Sequence, residues 1–256
     1  MTAEATLTGR QVAPKSERRD VWWLEPLTVV VVLGGFIIYS TWAALQNAHY
    51  YAPPYLSPFY SPCLGSNCEH LTLPFGLPWI FSPAILVLWI PGGFRLTCYY
   101  YRKAYYRSFF FSPPACAVPD AAKSYSGETR FPYLLQNIHR YFFWLAFVIL
   151  AFLWWDTILA FRFPNGFGMG VGTVVMLTNV ILLSLYSFSC HSCRYLAGGY
   201  LDVFHSAKLR FRLWSMTNRL NEHHALFAWV SLWGVALTDV YIRLVSMGII
   251  RDVRFF

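Results

Sequence analysis

Charge is what this 256-residue sequence has least of. Asp, Glu, Lys and Arg together make up 12% of it, against about 25% in an average soluble domain. With 57% hydrophobic and 20% aromatic residues, too little polar surface remains to cover a globule in water. That shortage excludes a disordered chain and a nucleic-acid-binding arm. Cysteine is too thinly spread for a small disulfide scaffold, its 6 copies lying at 63, 68, 98, 116, 190 and 193. The mean hydropathy of +0.42 agrees. The expected fold class is an all-α integral membrane protein, a single membrane domain over residues 1–256.

Basic residues are absent from particular places. Residues 49–78 and 163–170 contain no Lys or Arg, whereas 1–20, 102–133 and 194–222 together contain fourteen. Cations clustered between apolar runs mark membrane orientation, not a phosphate-reading surface, so no nucleic-acid partner is expected. The N-terminus is therefore predicted to be cytoplasmic.

A membrane-crossing helix needs roughly 20 mostly apolar residues. Five segments qualify: Trp22–Ala48, Ile80–Tyr101, Leu134–Phe161, Val171–Arg194 and His223–Ile250. Five crossings put the C-terminus outside. The first run follows a polar arm (1–20) and is too long for a signal peptide. The second contains Pro83 and Pro91, with a bend expected near Pro91. Residues 49–78 are read as an outer cap, and 102–133 and 194–222 as cytoplasmic loops. Within the latter, 205–220 reads as a basic amphipathic stretch on the membrane surface. No internal repeat is visible along the chain, which gives a transporter built from inverted repeats no support.

Ligating side chains inside a bilayer are costly and point to function. With these crossings, Cys98, Cys190, His191 and Cys193 fall near the cytoplasmic ends of the second and fourth helices. His139, His223 and His224 fall at the cytoplasmic starts of the third and fifth. Seven soft or imidazole donors converge on one leaflet. Cys190 and Cys193 are spaced to share a helix face. His224 shares its stripe with Ala228, Ser231 and Thr238, an interior face, whereas His223 lies on a peripheral one. His191 points about 100° from Cys190. Two thiolates and two imidazoles suit zinc or a Rieske-type [2Fe–2S] cluster, and a haem less well. The loop form CxH…CxxH of Rieske motifs is absent, because Cys-His-Ser-Cys lies on a predicted span. Taken one at a time, these residues read equally as packing groups and helix caps.

The run LYSFSCHSCRYLAGG, His139 in QNIHRYFFW and the pair in NEHHALF resemble the single membrane subunit of actinobacterial, mycobacterial-type succinate dehydrogenases, over essentially the whole chain. The resemblance implies a haem-free anchor holding a Rieske-type [2Fe–2S] cluster on Cys190, Cys193, His139 and His224, with His223, His191 and Cys98 as alternatives. It also implies a soluble flavoprotein subunit and a soluble iron–sulfur subunit on the cytoplasmic side of the plasma membrane. A quinone, expected to be menaquinone, is the electron acceptor, and higher oligomers of the complex are compatible with the family. A single b haem between His139 and His224 is the competing cofactor. The two stacked haems of other five-helix anchors do not fit, since the outer side offers only His49 and His70. A structural or transport protein with zinc or no metal is the reading from another class.

Among the remaining polar residues, Asp239 and Arg243 have the spacing of a helical ion pair. With Asp156 and Arg162 they are expected to form a charge network holding the bundle together. Cys63 and Cys68 are expected to close a small disulfide in the outer cap. No catalytic or quinone-binding residue is assigned.

Overall fold

The computed structural model describes residues 18–63, 82–121, 138–199 and 201–256. Among the described residues, four helices are long and apolar enough to cross a membrane: α1 (Leu24–Gln46), α4 (His139–Leu159), α5 (Val171–Phe188) and α8 (His224–Ser246). A shorter apolar helix, α2 (Pro83–Thr97), packs along α4. These elements form because in an apolar surround every backbone group must be satisfied within its own segment, which a continuous helix does. Their outward faces stay apolar and exposed, with Val31 64%, Ile38 73% and Trp144 55% accessible, as expected of surfaces solvated by lipid.

Three shorter helices lie at the ends of predicted spans and in the cytoplasmic loops: α3 (Tyr99–Phe109), α6 (His191–Gly198) and α7 (Lys208–Glu222), the last over the expected amphipathic stretch. Two of them begin at breaks inside predicted spans. α2 continues past Pro91, and the chain turns instead at Cys98, whose backbone is extended (φ −65°, ψ 135°). The fourth predicted span likewise ends at Phe188 instead of continuing to Arg194, because Cys190 is extended (φ −65°, ψ 145°) and caps α6. Cys190 and Cys193 therefore do not ride on the spanning helix.

Packing pairs α5 with α8, α2 with α4, and α1 with α3, while α4 bridges to α5. At Gly93 the helices touch so closely that a Cβ would lie 2.1 Å from the Phe142 ring. Two of the buried clusters among the described residues mark the ends of the bundle. One, around Phe94, Cys98, Tyr186, Cys190 and Leu232, lies where α2 and α5 end and α4 and α8 begin. The other sits at the opposite end under the cap formed by the hairpin β1 (Tyr51–Ala52) and β2 (Tyr55–Leu56) and the turn Pro58–Tyr60. There the C-terminal tail folds back onto the start of α5, with Val171 N bonded to Val253 O at 3.0 Å and Gly172 N to Asp252 Oδ1 at 2.8 Å. Between α4 and α5 lies the hairpin of β3 (Arg162–Phe163) and β4 (Gly166–Phe167).

Cys63 is buried and disulfide-bonded. Its expected partner Cys68, and His70, lie outside the described residues. The expected ion pair of Asp239 and Arg243 forms at 2.7 Å with both side chains buried. Asp156 is also buried and accepts a hydrogen bond from Ser61, whereas Arg162 is exposed on the β3 edge.

Candidate functional site

Two imidazoles and two thiols meet where α2, α4, α5 and α8 converge. His139 opens α4 and His224 opens α8. Cys98 follows α2 and Cys190 follows α5. The contacts are crossed: His139 Nε2 lies 3.1 Å from Cys190 Sγ, and His224 Nε2 lies 3.4 Å from Cys98 Sγ.

Each ring is held by a hydroxyl on its other nitrogen. His139 Nδ1 is 2.8 Å from Thr97 Oγ1, and His224 Nδ1 is 2.6 Å from Ser189 Oγ. Thr97 donates its proton to Gly93 O at 2.8 Å, and Ser189 donates its own to Tyr186 O at 3.0 Å. Having one proton each, both hydroxyls are left to accept from the imidazoles. That assigns the Nδ1–H tautomer to both rings and leaves both Nε2 lone pairs turned toward sulfur. Each ring also stacks on an aromatic: His139 on Phe94 (5.0 Å, 7°) and His224 on Tyr186 (5.2 Å, 5°).

The correspondence extends to the sequence. Residues 94–102 read FRLTCYYYR and 186–194 read YSFSCHSCR; aromatic, hydroxyl, cysteine and arginine fall in the same places. Residues 139–144, HRYFFW, match 224–229, HALFAW, in the His, Phe and Trp. The unit α2–α3–α4 is thus repeated as α5–α6–α8, with α7 lying between α6 and α8. The expectation that no internal repeat exists is corrected here. The signal was short, degenerate and split across a loop of different length in each half, which hid it from a reading along the chain.

The repeat separates the seven predicted donors. Cys190 and Cys98 are equivalent and buried, whereas Cys193 is half-buried, makes neither sulfur–imidazole contact, and matches Tyr101. Burial pushes the Cys193 thiol up from its ordinary value. His224 is buried and His223 exposed, packing on Phe227. His191 is exposed beside Tyr99 and Tyr100. Thr97 and Ser189 were missed by sequence reasoning, as was the weight due to Cys98. Alignment of the two halves would have found all three.

Two further features surround the centre. The Tyr186 hydroxyl is fully buried beside the Cys98 thiol, with no conventional hydrogen-bond partner among the described residues. Next to Tyr186 lies the Arg95 guanidinium, 4.8 Å above its ring. Arg95 donates to Tyr101 Oη, to Ala228 O at 3.2 Å and to Ser231 Oγ at 3.1 Å. Both Arg95 and Tyr101 line a cavity of about 430 Å³ that also borders Leu33, Phe36, Gly92 and Leu232.

The family model for the actinobacterial succinate dehydrogenase subunit SdhC matches residues 24–248. The chain belongs to that family. A chain of the Mycobacterium smegmatis Sdh1 complex in the apo form is 45% identical to it and superposes with a TM-score of 0.88, with 100% of each chain covered. No curated protein sequence matches. This SdhC-type chain is thus a membrane subunit of succinate dehydrogenase, and its apolar helices are those of a multi-pass membrane protein.

Proposed function

We propose that this SdhC-type subunit anchors a succinate:quinone oxidoreductase and carries electrons within it, holding a Rieske-type [2Fe–2S] cluster on Cys98, Cys190, His139 and His224. The crossed Cys–His contacts, with both Nε2 lone pairs aimed at sulfur, carry this reading. Cys98 replaces Cys193 in the expected ligand set because the repeat pairs Cys98 with Cys190. Among the described residues no three His, Cys, Asp or Glu groups converge as around one ion. Two thiols and two imidazoles are the donor set of a Rieske-type centre, which would take two Cys on one iron and two His on the other, whereas a single zinc needs three or four protein ligands at one point.

When bound, such a cluster supplies a one-electron carrier. The chain's own residues prepare for it. Thr97 and Ser189 fix the tautomer and orientation of both imidazoles, the task of outer-shell partners generally. Backbone Ser192 N–H points at Cys190 Sγ at 3.4 Å, and the Tyr186 hydroxyl beside Cys98 is free to donate to a thiolate. Arg95 retains N–H groups beyond its three bonds and is placed to donate to a quinone carbonyl in the adjoining cavity. The buried surroundings exclude water from both thiols.

In the same reading α2 is a fifth crossing. The N-terminus and the fourteen clustered cations face the cytoplasm, and the C-terminus lies outside. Flavoprotein and iron–sulfur subunits dock at the cytoplasmic end, close to Arg102 and Arg194, which cover the rings of Tyr99 and Trp214.

Low-temperature EPR of the dithionite-reduced complex tests the proposal. A signal of low average g-value is expected, lost in Cys98→Ser and in the His139→Ala/His224→Ala double variant, but kept in Cys193→Ser. Loss in Cys193→Ser with retention in Cys98→Ser would restore the CxxC ligand set. A wild-type complex with no such signal and a sharp Soret band would overturn the cluster in favour of a b haem.

A further inference from the structure

Helix α7 presents three flanks at 100° per residue. Arg210, Trp214, Thr217 and Asn221 form the one that docks. Arg210 donates to Ala197 O at 3.1 Å, Asn221 Nδ2 to Ser189 O at 2.7 Å, and Trp214 lies against Gly198. With the rotation fixed, Leu209, Leu213, Met216 and Leu220 form an adjacent stripe whose first three members are 70%, 43% and 55% exposed. Beside that stripe, on the side away from the docked flank, run Lys208, Arg212, Ser215 and Arg219. These cations border a cavity of about 830 Å³. Phe204 and Phe211, packed at 5.5 Å, form part of its apolar wall. Neither Asp202 nor Glu222 forms an ion pair with the three cations among the described residues.

We propose that this cavity binds an anionic phospholipid. Its phosphate sits among Lys208, Arg212 and Arg219, and its acyl chains run beside the Leu209–Met216 stripe. The stripe sets the depth. α7 joins the site end of α6 to the start of α8, so it lies at the membrane boundary, and its exposed apolar flank belongs in the acyl region. The neighbouring cations then stand at phosphate level, where each contributes about 1 kcal/mol toward an anionic lipid. Three unpaired cations around one cavity match a headgroup with net negative charge better than a zwitterionic one. An acidic protein surface would satisfy the cations but leave the apolar stripe in water.

The test uses the whole purified complex in nanodiscs of phosphatidylcholine doped with labelled phosphatidylglycerol, together with native mass spectrometry of the detergent-purified complex. Wild type is expected to retain the anionic lipid, and Lys208→Gln/Arg212→Gln/Arg219→Gln to weaken retention about a hundredfold. Arg212→Gln alone is expected to weaken it about fivefold, which serves if the triple variant does not assemble. Lys103→Gln, an exposed cation on α3, is expected to change nothing. Excess inorganic phosphate is expected not to displace the lipid, since the acyl contacts are part of the site. Equal retention by wild type and variants would overturn the proposal, as would displacement by phosphate alone. Loss of the soluble subunits from the triple variant, with lipid retention unchanged, would overturn it by identifying a protein-docking face.

Discussion

The two ends of the helical bundle both bury polar groups, and they do so in opposite ways. Under the cap, Asp239 accepts from Tyr39 at 2.6 Å, from Ser57, and from Arg243 at 2.7 Å. Arg243 also donates to the carbonyls of Ala43 (2.8 Å) and Ala48 (2.9 Å). Those carbonyls lie at and beyond the end of α1, so the ion pair ties α1 to α8. At the other end two buried thiols meet a buried imidazole, His224, and a half-buried one, His139, both held in one tautomer. Every nitrogen facing a hydroxyl is satisfied, and every nitrogen facing sulfur keeps a lone pair for something else. The cap end joins its groups to one another; the site end leaves two ring-nitrogen lone pairs turned toward sulfur, as the proposed cluster requires. A buried polar group marks a working site when its hydrogen bonds leave donor atoms aimed at a common space.

Breaking each end should therefore give different readouts. The largest effect is expected from Cys98→Ser. Succinate:quinone activity of the assembled complex should fall to background, with its thermal midpoint little changed, since Ser fills nearly the same volume. A Cys98→Ser complex that keeps full activity would remove the repeat-based ligand set. Next comes Arg243→Met, which strands a buried carboxylate. It is expected to destabilise the subunit by about 3–5 kcal/mol. Thermal unfolding of the detergent-solubilised complex measures this. The fraction that folds should retain the EPR signal of the other end, so loss of that signal at unchanged stability would dissolve the contrast.

Thr97→Val and Ser189→Ala sharpen it. Each frees one imidazole to rotate, and outer-shell losses of this kind typically lower metal affinity about 10–100-fold. Iron content after chelator challenge should fall in both variants by similar factors, because the two halves are equivalent. A large effect from one and none from the other would show that the repeat is not functionally symmetric.

Much of the molecule was legible in the sequence because membrane spans announce themselves by length and apolarity. α1, α4 and α8 fall inside their predicted segments, and the Asp239–Arg243 pair follows from spacing alone. Face periodicity placed His224 on an interior stripe and His223 on a peripheral one, in line with their burial. What stayed hidden depended on breaks that hydropathy does not register. Ser189 and Cys190 are as compatible with a continuing helix as with a cap, so the fourth span was read through to Arg194. The CxxC spacing then drew attention to Cys193, while Cys98, its true counterpart position occupied by no second cysteine nearby, looked solitary. The fold sets 94–102 beside 186–194, a match that the two halves of the sequence, compared with each other, also contain.

The smallest effect should come from the cap, at Tyr60. Its hydroxyl lies 2.9 Å from Ala43 O, 3.0 Å from Ala44 O and 3.0 Å from Asn47 N, closing the end of α1 where Asn47 turns into the left-handed region. Its ring stacks on Tyr50 at 4.0 Å. Tyr60→Phe keeps the stack and removes only the hydroxyl. The expected cost is about 1 kcal/mol, the ordinary net worth of one hydrogen bond. Carbonyls at a helix end have other means of satisfaction, and the ion pair of Arg243 still holds Ala43. If thermal unfolding instead shows a loss as large as that of Arg243→Met, the cap depends on Tyr60 as much as on the charge pair. The two buried networks would then differ in chemistry alone, and not in how completely each is satisfied.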